Sequence, residues 1–184
     1  MKFHIDTERL ILRELQVGDL HDWFEMDSNP EVHKYLGNQP VKNIEHIENA
    51  FLSIQQQYAE NGIGRWAVIE KSSGNFVGWS GIKFMRQTVN GKIDFHEVGY
   101  RFLQKHWGKG YATESAKAAV RYGFEEMKLK EIYGITNVTN INSRKVLEKC
   151  ELKFIETFVW EDFDNMECNW LKIAKEEWEK STAY

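Results

Sequence analysis

The chain is poor in the residues that mark several common protein classes. Of its 184 residues, two are proline and two are cysteine, Cys150 and Cys168. Two distant cysteines give neither a disulfide framework nor a close-spaced metal pair, and this favours a reducing compartment. No apolar run approaches the ~18 residues of a membrane span, and the opening MKFHIDTERL does not have the pattern of a signal peptide. The composition therefore predicts a cytoplasmic protein with no membrane partner.

Charge and histidine spacing exclude two further classes of function. The formal net charge is −4, which argues against a surface that binds nucleic acid. The six histidines show no paired metal spacing, so no metal site is predicted. Apolar residues make up 42% of the chain and charged residues 28%, with no linker-like segment between them. This balance predicts a single domain that covers residues 1–184.

The most informative stretch is His96–Lys128, which predicts a strand, a turn with two glycines and a long helix. The segment Glu97–Leu103 is rich in residues that suit a half-buried strand. Gly108 and Gly110 then precede an apolar series at helical spacing. Glycines at a helix entrance let a ligand approach the backbone, and the first helical turn offers free N–H groups and the positive end of the dipole. These features predict either a pyrophosphate-sized anion site or a plain tight turn.

The remaining segments predict one α+β domain around a mostly antiparallel, twisted sheet of about seven strands, flanked by about four helices. Asn43 and Gly62 mark the ends of a helix whose apolar residues recur every three or four positions. Asn90 followed by glycine is typical of a hairpin turn, and Asp19 is expected to cap the first helix. The predicted strands lie within 3–15, 65–71, 76–85, 97–103, 131–136, 154–160 and 167–174, and a further helix opens at 140.

A dinucleotide-binding turn is an alternative for Gly108 and Gly110. The third glycine of a GxGxxG motif would fall on Thr113. The acidic residue that such a fold needs about 20 positions further on would be Glu131, which begins its predicted strand instead of ending it. The hairpins predicted before the turn also leave little of the chain for repeated βαβ units. A nicotinamide dinucleotide is therefore the less favoured ligand.

Three segments resemble the GNAT acetyltransferase superfamily, in particular the branch that includes the ribosomal-protein N-terminal acetyltransferases RimJ and RimL. The run VGYRFLQKHWGKGYATES is similar to the coenzyme A-binding turn of that superfamily. TERLILR is similar to the opening strand of the branch, and Asn140-x-x-Ser143 followed by VLEK is similar to a later helix. The segments occur in the family's order, so the resemblance covers nearly the whole chain.

Two positions depart from the family pattern. The family signature is Gln or Arg, then any two residues, Gly, any one residue, and Gly or Ala. In this chain it falls on Lys105, Gly108 and Gly110. A lysine at the first position keeps the positive charge but loses the planar fork of arginine. After the later helix, Glu151 and Leu152 occupy the positions of the family's usual Gly-Phe pair, and this removes no chemical group.

The resemblance implies an enzyme that transfers the acetyl group of acetyl-CoA to a primary amine without a metal. It implies Glu97 as the general base and Ser143 as the acid that protonates the departing thiolate. It also implies that backbone N–H groups near the end of the strand, those of Phe102 and Leu103, polarise the thioester and bind the pantetheine arm. The implied coenzyme A-binding residues are Phe102, Leu103, Lys105, His106, Trp107, Gly108, Lys109, Gly110, Tyr111, Ala112 and Asn140.

Several of these roles have structural alternatives. Glu97 suits an ordinary strand-surface glutamate, and Asn140 and Ser143 suit helix capping. A non-catalytic acyl-CoA-binding module is therefore a second class of function for the chain.

The acceptor amine has no motif of its own. An α-amine has a pKa of about 8 and a lysine side chain one of ~10.4, so the α-amine reaches its reactive neutral form more easily. The resemblance implies a protein N-terminus, in particular that of a ribosomal protein. A small-molecule amine such as a polyamine, an amino acid or an antibiotic is the alternative, and the chain is expected to be a monomer or a homodimer.

Overall fold

The structure, a computed structural model, describes residues 4–182 and arranges its strands in one open sheet. The order across the sheet is β1-β2-β3-β4-β5-β6-β8-β7. The strands are β1 (His4–Asp6), β2 (Leu10–Glu14), β3 (Arg65–Glu70), β4 (Phe76–Met85), β5 (Phe95–Phe102), β6 (Glu131–Asn137), β7 (Lys153–Trp160) and β8 (Met166–Ala174). The helices are α1 (Leu20–Asp27), α2 (Pro30–His33), α3 (Ile44–Asn61), α4 (Tyr111–Glu125), α5 (Ile141–Lys149) and α6 (Lys175–Thr182), and short 3₁₀ turns span Val17–Asp19 and Gln104–His106.

The pairing of β5 with β6 differs from the rest of the sheet. Neighbouring strands are antiparallel elsewhere, whereas β5 and β6 are parallel because α4 carries the chain back between them. β4 and β5 pair continuously from Gly78↔Phe102 to Met85↔Phe95. Among the described residues, β5 and β6 pair at Glu97↔Tyr133 alone. The two strands therefore part after this position, and a gap opens between residues 98–102 of β5 and the end of β6.

The helices cover the two faces of the sheet. On the first face, here the α4 face, the buried side of α4 packs against residues of β2 to β6. A Cβ on Gly123 would lie 2.6 Å from Ile82 Cδ1, so α4 sits very close to the sheet at this point. On the other face, the α1 face, Trp23 and Met26 of α1 and Ile47 of α3 pack on residues of β3 and β4.

The predicted α+β class and the mostly antiparallel sheet are confirmed, and the element counts are higher than expected. The segment predicted as one N-terminal strand forms two, β1 and β2, because the chain turns where the backbone N–H of Thr7 donates to Leu10 O at 3.0 Å. The described residues form eight strands and six α-helices. The sequence signal of α6 was missed because KEEWEKST offers one large apolar residue, Trp178, which packs on Phe124.

Two helix-end predictions had different outcomes. Asn43 caps α3 by accepting from the backbone N–H of His46, and Gly62 ends the helix with φ +68°, as predicted. Asp19 makes no capping hydrogen bond to α1. Its carboxylate instead accepts two hydrogen bonds of 2.7 Å from Arg13. The buried ion pair satisfies the carboxylate more completely than one backbone N–H group of a helix end.

Candidate active site

The glycine turn before α4 has the geometry of an anion site. Gly108 and Gly110 have φ values of +75° and +84°, a conformation that side chains disfavour. A Cβ on Gly108 would meet no atom within 4 Å, so the glycine is needed for its backbone angle. Within residues 4–182, the N–H groups of Gly108, Lys109 and Gly110 have no acceptor. They stand beside the free N–H groups and positive dipole end of α4, where an anion is favoured.

The N-terminal hairpin holds this turn in place. Arg9 Nη1 donates to Lys109 O at 2.8 Å, and Arg9 Nε donates to Glu114 Oε2 at 2.7 Å. Glu114 also accepts from the hydroxyl of Thr7 at 2.7 Å. The guanidinium of Arg9 lies 4.9 Å from the centroid of the Tyr111 ring. These residues are about a hundred positions apart in the chain, and no sequence pattern connects them.

The side chains of the turn add positive charge at its rim. Lys105 Nζ forms an exposed ion pair with Glu25 at 2.9 Å, so part of its charge is already matched. Burial and the nearby Lys109 lower the pKa of His106, so this ring is neutral at pH 7. Lys109 Nζ lies 3.3 Å from His106 Nδ1, which assigns Nδ1 as the acceptor and leaves a proton on Nε2. Lys109 and the His106 N–H are thus available to an anion.

The other predicted residues of the turn support its shape. Trp107 is 47% exposed and its indole N–H donates to Phe102 O at 2.8 Å, which closes the turn onto the end of β5. Tyr111 is buried and its hydroxyl donates to Glu70. Ala112 is partly buried at the start of α4. The turn therefore offers an anion mainly its backbone N–H groups.

Backbone donors on β5 point into the gap beside β6. The N–H of Leu103 donates to Val77 O at 3.0 Å, so the prediction that it is free for a ligand is wrong. Because N–H groups alternate between the two sides of a strand, those of Tyr100 and Phe102 point away from β4. The predicted donor Phe102 thus faces the gap, and Tyr100 takes the place that was predicted for Leu103.

Glu97 is a buried residue at the point where the gap begins. It is 9% exposed and its carboxylate accepts a hydrogen bond from Arg65. Arg65 also donates to the backbone oxygens of Gly81, at 2.6 Å, and Glu97, at 3.0 Å. A Cβ on Gly99 would lie 2.6 Å from Arg65 Nη2, so the guanidinium lies flat on β5. Glu97 is therefore not an ordinary glutamate on the strand surface, which was the alternative left open by the sequence.

Ser143 and Asn140 meet the gap from the α4 face. The Asn140 side chain accepts from the backbone N–H of Ser143 at 3.1 Å and so caps α5. The hydroxyl of Tyr100 donates to Ser143 O at 2.8 Å and lies 3.1 Å from Ser143 Oγ. Burial raises the pKa of Tyr100, so its phenol keeps its proton at neutral pH. Sequence reasoning missed Tyr100, although strand alternation from Phe102 puts the two side chains on one face.

A second buried polar cluster lies further along the α1 face. Arg101 donates to Asp27 Oδ2 at 2.8 Å and stands 5.1 Å from the centroid of the Trp79 ring. His33 Nε2 lies 3.9 Å from Asp27 Oδ1, and both residues are less than a tenth exposed. Among the described residues, Asp27 Oδ1, both ring nitrogens of His33 and Trp79 Nε1 have no hydrogen-bond partner. Polar atoms of this kind are normally satisfied by water or a ligand.

Two negative findings concern the chain between residues 4 and 182. In this part, no group of three or more His, Cys, Asp or Glu side chains is arranged to hold a metal ion. Nor is any helix here both long enough and apolar enough to cross a membrane.

Comparisons with known proteins agree with this geometry. The acetyltransferase (GNAT) domain matches residues 9–153. The FsC-acetyl coenzyme A-N(2)-transacetylase of Aspergillus fumigatus is 36% identical over 160 residues, which are 84% of this chain but 66% of that protein, just under two thirds of its length.

Solved structures share the fold over nearly their whole length. A GNAT-family acetyltransferase from Bacillus anthracis has a TM-score of 0.77 and 28% identity, covering 95% of this chain and 99% of that one. Spermidine N-acetyltransferase from Vibrio cholerae, solved with CoA and spermine, has a TM-score of 0.73, covering 94% of this chain and 99% of that one. It is 20% identical, so the likeness shows the fold alone. The domain match covers most of the chain and shows that the chain belongs to the GNAT acetyltransferase family.

Proposed function

We propose that this chain transfers the acetyl group of acetyl-CoA to a primary amine, and that residues 1–184 act as a single catalytic domain. The observation that carries the proposal is the gap between β5 and β6, which begins at Glu97 and runs toward the glycine turn. A pantetheine arm laid along the gap meets the N–H groups of Tyr100 and Phe102, and its pyrophosphate reaches the turn at Gly108. The name of the Aspergillus relative supports acetyl coenzyme A as the acetyl donor and a nitrogen atom as the acceptor.

Acetyl-CoA supplies an activated acyl carbon and a thiol leaving group. Glu97 accepts the proton that the ammonium must lose before its nitrogen can attack. The N–H groups along β5 hydrogen-bond the carbonyl oxygen as it gains negative charge. The neutral nitrogen attacks the acyl carbon, the C–S bond breaks, and the hydroxyl pair of Ser143 and Tyr100 gives a proton to the thiolate and takes up the second proton that the nitrogen loses. The coenzyme A portion is held by the remaining predicted residues, which are Lys105, His106, Trp107, Lys109, Gly110, Tyr111, Ala112 and Asn140.

The acceptor is a primary amine, and an α-amine needs less help to deprotonate than a lysine side chain. The resemblance to the RimJ and RimL branch favours the N-terminus of a ribosomal protein. The spermidine acetyltransferase from Vibrio cholerae, 22% identical over 144 residues, favours a small-molecule amine instead. Either acceptor is compatible with a monomer or a homodimer.

The test is a thermal-shift titration with acetyl-CoA, coenzyme A and NAD(P), followed by thiol release against amines and N-terminal peptides. Saturating acetyl-CoA is expected to stabilise the fold by ~2.7 kcal/mol when its concentration is about 100 times the dissociation constant. A shift with NAD(P) and none with coenzyme A species would refute the proposal. Binding of acetyl-CoA without acetylation of any amine would leave an acyl-CoA-binding module.

A further inference from the structure

We propose that the acceptor carries a carboxylate next to its reacting amine, as an α-amino acid does, and that Lys83 binds this carboxylate while Glu97 faces the amine. The inference rests on the proposed N-acetyltransferase function and narrows its acceptor class. It assigns Lys83 a role that no sequence motif indicated. It also favours a free amino acid over a polyamine or a protein N-terminus.

The first support is the placement of the two side chains. Lys83 on β4 is directly opposite Glu97 on β5. Side chains of directly opposed residues stand on the same face with Cβ atoms about 4.5–5.5 Å apart. Glu97 is also the residue that pairs with Tyr133 where the gap begins. An acceptor that reaches the gap from the α1 face therefore meets an anion and a cation on neighbouring strands, which are complementary to the ammonium and the carboxylate of an α-amino acid.

The second support is that Lys83 lacks a carboxylate of its own. It is partly buried, and among the described residues no carboxylate lies within ion-pair distance of its Nζ. Burial, followed by the charge of Arg65, lowers the pKa of Lys83, which is the signature of an ammonium that is poorly solvated and unmatched. Glu97 raises the pKa but is itself held by Arg65. A ligand carboxylate would supply the missing counter-charge.

The third support is the charge balance around the gap on the α1 face. Arg65 matches Glu97 and Arg101 matches Asp27. Next to the ring of Tyr133, two lysines share the single carboxylate of Glu131. Cations outnumber carboxylates here although the whole chain has a net charge of −4. A polyamine would add positive charge to a surface that already has an excess, whereas a carboxylate would reduce it. The cations are Arg65, Lys83, Lys92, Arg101 and Lys172, and the carboxylates are Asp27, Glu97 and Glu131.

The same features separate a free amino acid from a protein N-terminus. The first residue of a protein has a neutral peptide group where the free amino acid has a carboxylate. An ion pair that is partly shielded from water is worth more than a hydrogen bond to a neutral group, and the difference corresponds to about a tenfold change in affinity or more.

The experiment measures thiol release from acetyl-CoA with matched acceptors. Each of the common L-amino acids is compared with its own carboxamide, and spermidine is included as the polyamine. The carboxamide keeps the nitrogen and the side chain, removes the negative charge and lowers the pKa of the amine, so the change in pKa by itself favours the carboxamide. For the best acceptor, we expect kcat/KM of the acid to exceed that of its carboxamide and that of spermidine by about tenfold or more.

Variants at Lys83 connect this preference to one residue. Lys83→Gln is expected to raise KM for the acid about tenfold and to leave kcat/KM of the carboxamide within a factor of about two. Lys83→Arg keeps the charge and is expected to retain most of the preference. Lys180→Gln removes an exposed lysine from α6 on the opposite face and is the matched control. The melting temperature and the acetyl-CoA shift of each variant check that the fold and donor binding are intact.

The outcomes separate this inference from the function on which it rests. One outcome is that amines are acetylated while carboxamides, N-terminal peptides or spermidine give a kcat/KM equal to that of the acids. In that case the carboxylate proposal is wrong and the acetyltransferase function stands. Equal losses for acid and carboxamide in Lys83→Gln would also overturn it, because Lys83 would then act on the amine or on the fold. If acetyl-CoA produces no shift and no amine is acetylated, the function itself fails and takes the inference with it.

Discussion

Tyr100 of β5 donates a hydrogen bond of 2.8 Å to the carbonyl oxygen of Ser143 in the first turn of α5, across the gap between β5 and β6. Its oxygen lies 3.1 Å from Ser143 Oγ. Since the tyrosine proton is used by the carbonyl, the tyrosine oxygen can only accept from the serine hydroxyl, and the serine proton is the one that can turn to the thiolate. The proposed proton donor to the thiolate is therefore a coupled pair of hydroxyls.

Removing either hydroxyl should damage the same function. We expect Tyr100→Phe and Ser143→Ala each to lower kcat about tenfold or more, because the leaving thiolate loses its proton donor. The double variant should be little slower than the worse single variant, since the two groups act as a unit. Steady-state thiol release on the four proteins measures this. If the two losses of kcat multiplied in the double variant, the two hydroxyls would act independently and the pairing would be contradicted.

Alanine at either glycine of the turn should weaken coenzyme A binding. Gly108→Ala and Gly110→Ala force a side chain into the left-handed region, at a cost of about 1–2 kcal/mol each. The turn is expected to relieve this strain by moving its N–H groups, so the acetyl-CoA affinity falls more than the melting temperature. Gly18→Ala is the control, because its Cβ meets no atom within 4 Å and its φ is not in the strained region. Unchanged acetyl-CoA affinity in both turn variants would show that the anion site lies elsewhere.

Glu97→Gln should separate catalysis from binding. The amide keeps the size of the side chain but cannot accept the ammonium proton, so kcat/KM is expected to fall about 10²- to 10⁴-fold. The acetyl-CoA thermal shift should stay the same, because the turn at Gly108 is at the other end of β5. The exposed Glu45→Gln serves as the matched charge control. A variant with wild-type turnover would show that Glu97 is structural only.

Glu131 should contribute stability that disappears in acid. Burial alone would raise its pKa, but hydrogen bonds from Lys92, Tyr133 and Lys172 outweigh burial and hold the pKa at about 2, below the ordinary 4.5. A folded-state pKa below the unfolded one stabilises the protein above about pH 4.5, and this stability is lost as the pH falls toward about 2. Because a third of the side chain is exposed, we expect about 1–2 kcal/mol.

Urea unfolding of wild type and Glu131→Gln between pH 7 and pH 2 tests this contribution. The variant should be less stable at pH 7, and the two curves should converge in acid. Glu148→Gln, which removes an exposed carboxylate from α5, should run parallel to wild type across the range. A constant difference between wild type and Glu131→Gln at every pH would refute the expected pKa.

The sequence predicted those parts of the site that are local in the chain. The turn at Gly108 and Gly110, the strand that carries Glu97 and the cap at Asn140 each depend on a few consecutive residues. Periodicity and turn chemistry are visible at that range. The helix α3, with Asn43 and Gly62 at its ends, was predictable for the same reason.

The parts that were missed depend on contacts between distant segments. The pairing of Arg65 with Glu97 and of Tyr100 with Ser143 follows from strand order and from the divergence of β5 and β6. Leu103 was predicted as a free donor because it follows Phe102, yet strand alternation gives its N–H to Val77. Asp19 was read as a helix cap because Arg13, which binds it, lies on a different element.

The hydrogen bond from Arg9 to Lys109 affects the stage of folding at which the protein can bind its ligand. Arg9 is synthesised about a hundred residues before its partner, and the two meet once α4 has docked on β2. The turn is therefore held in place only after this long-range contact has formed. A partly folded chain would have the glycines but not their fixed angles, so donor binding reports the fully assembled domain. Acetyl-CoA would then stabilise the fully folded protein alone.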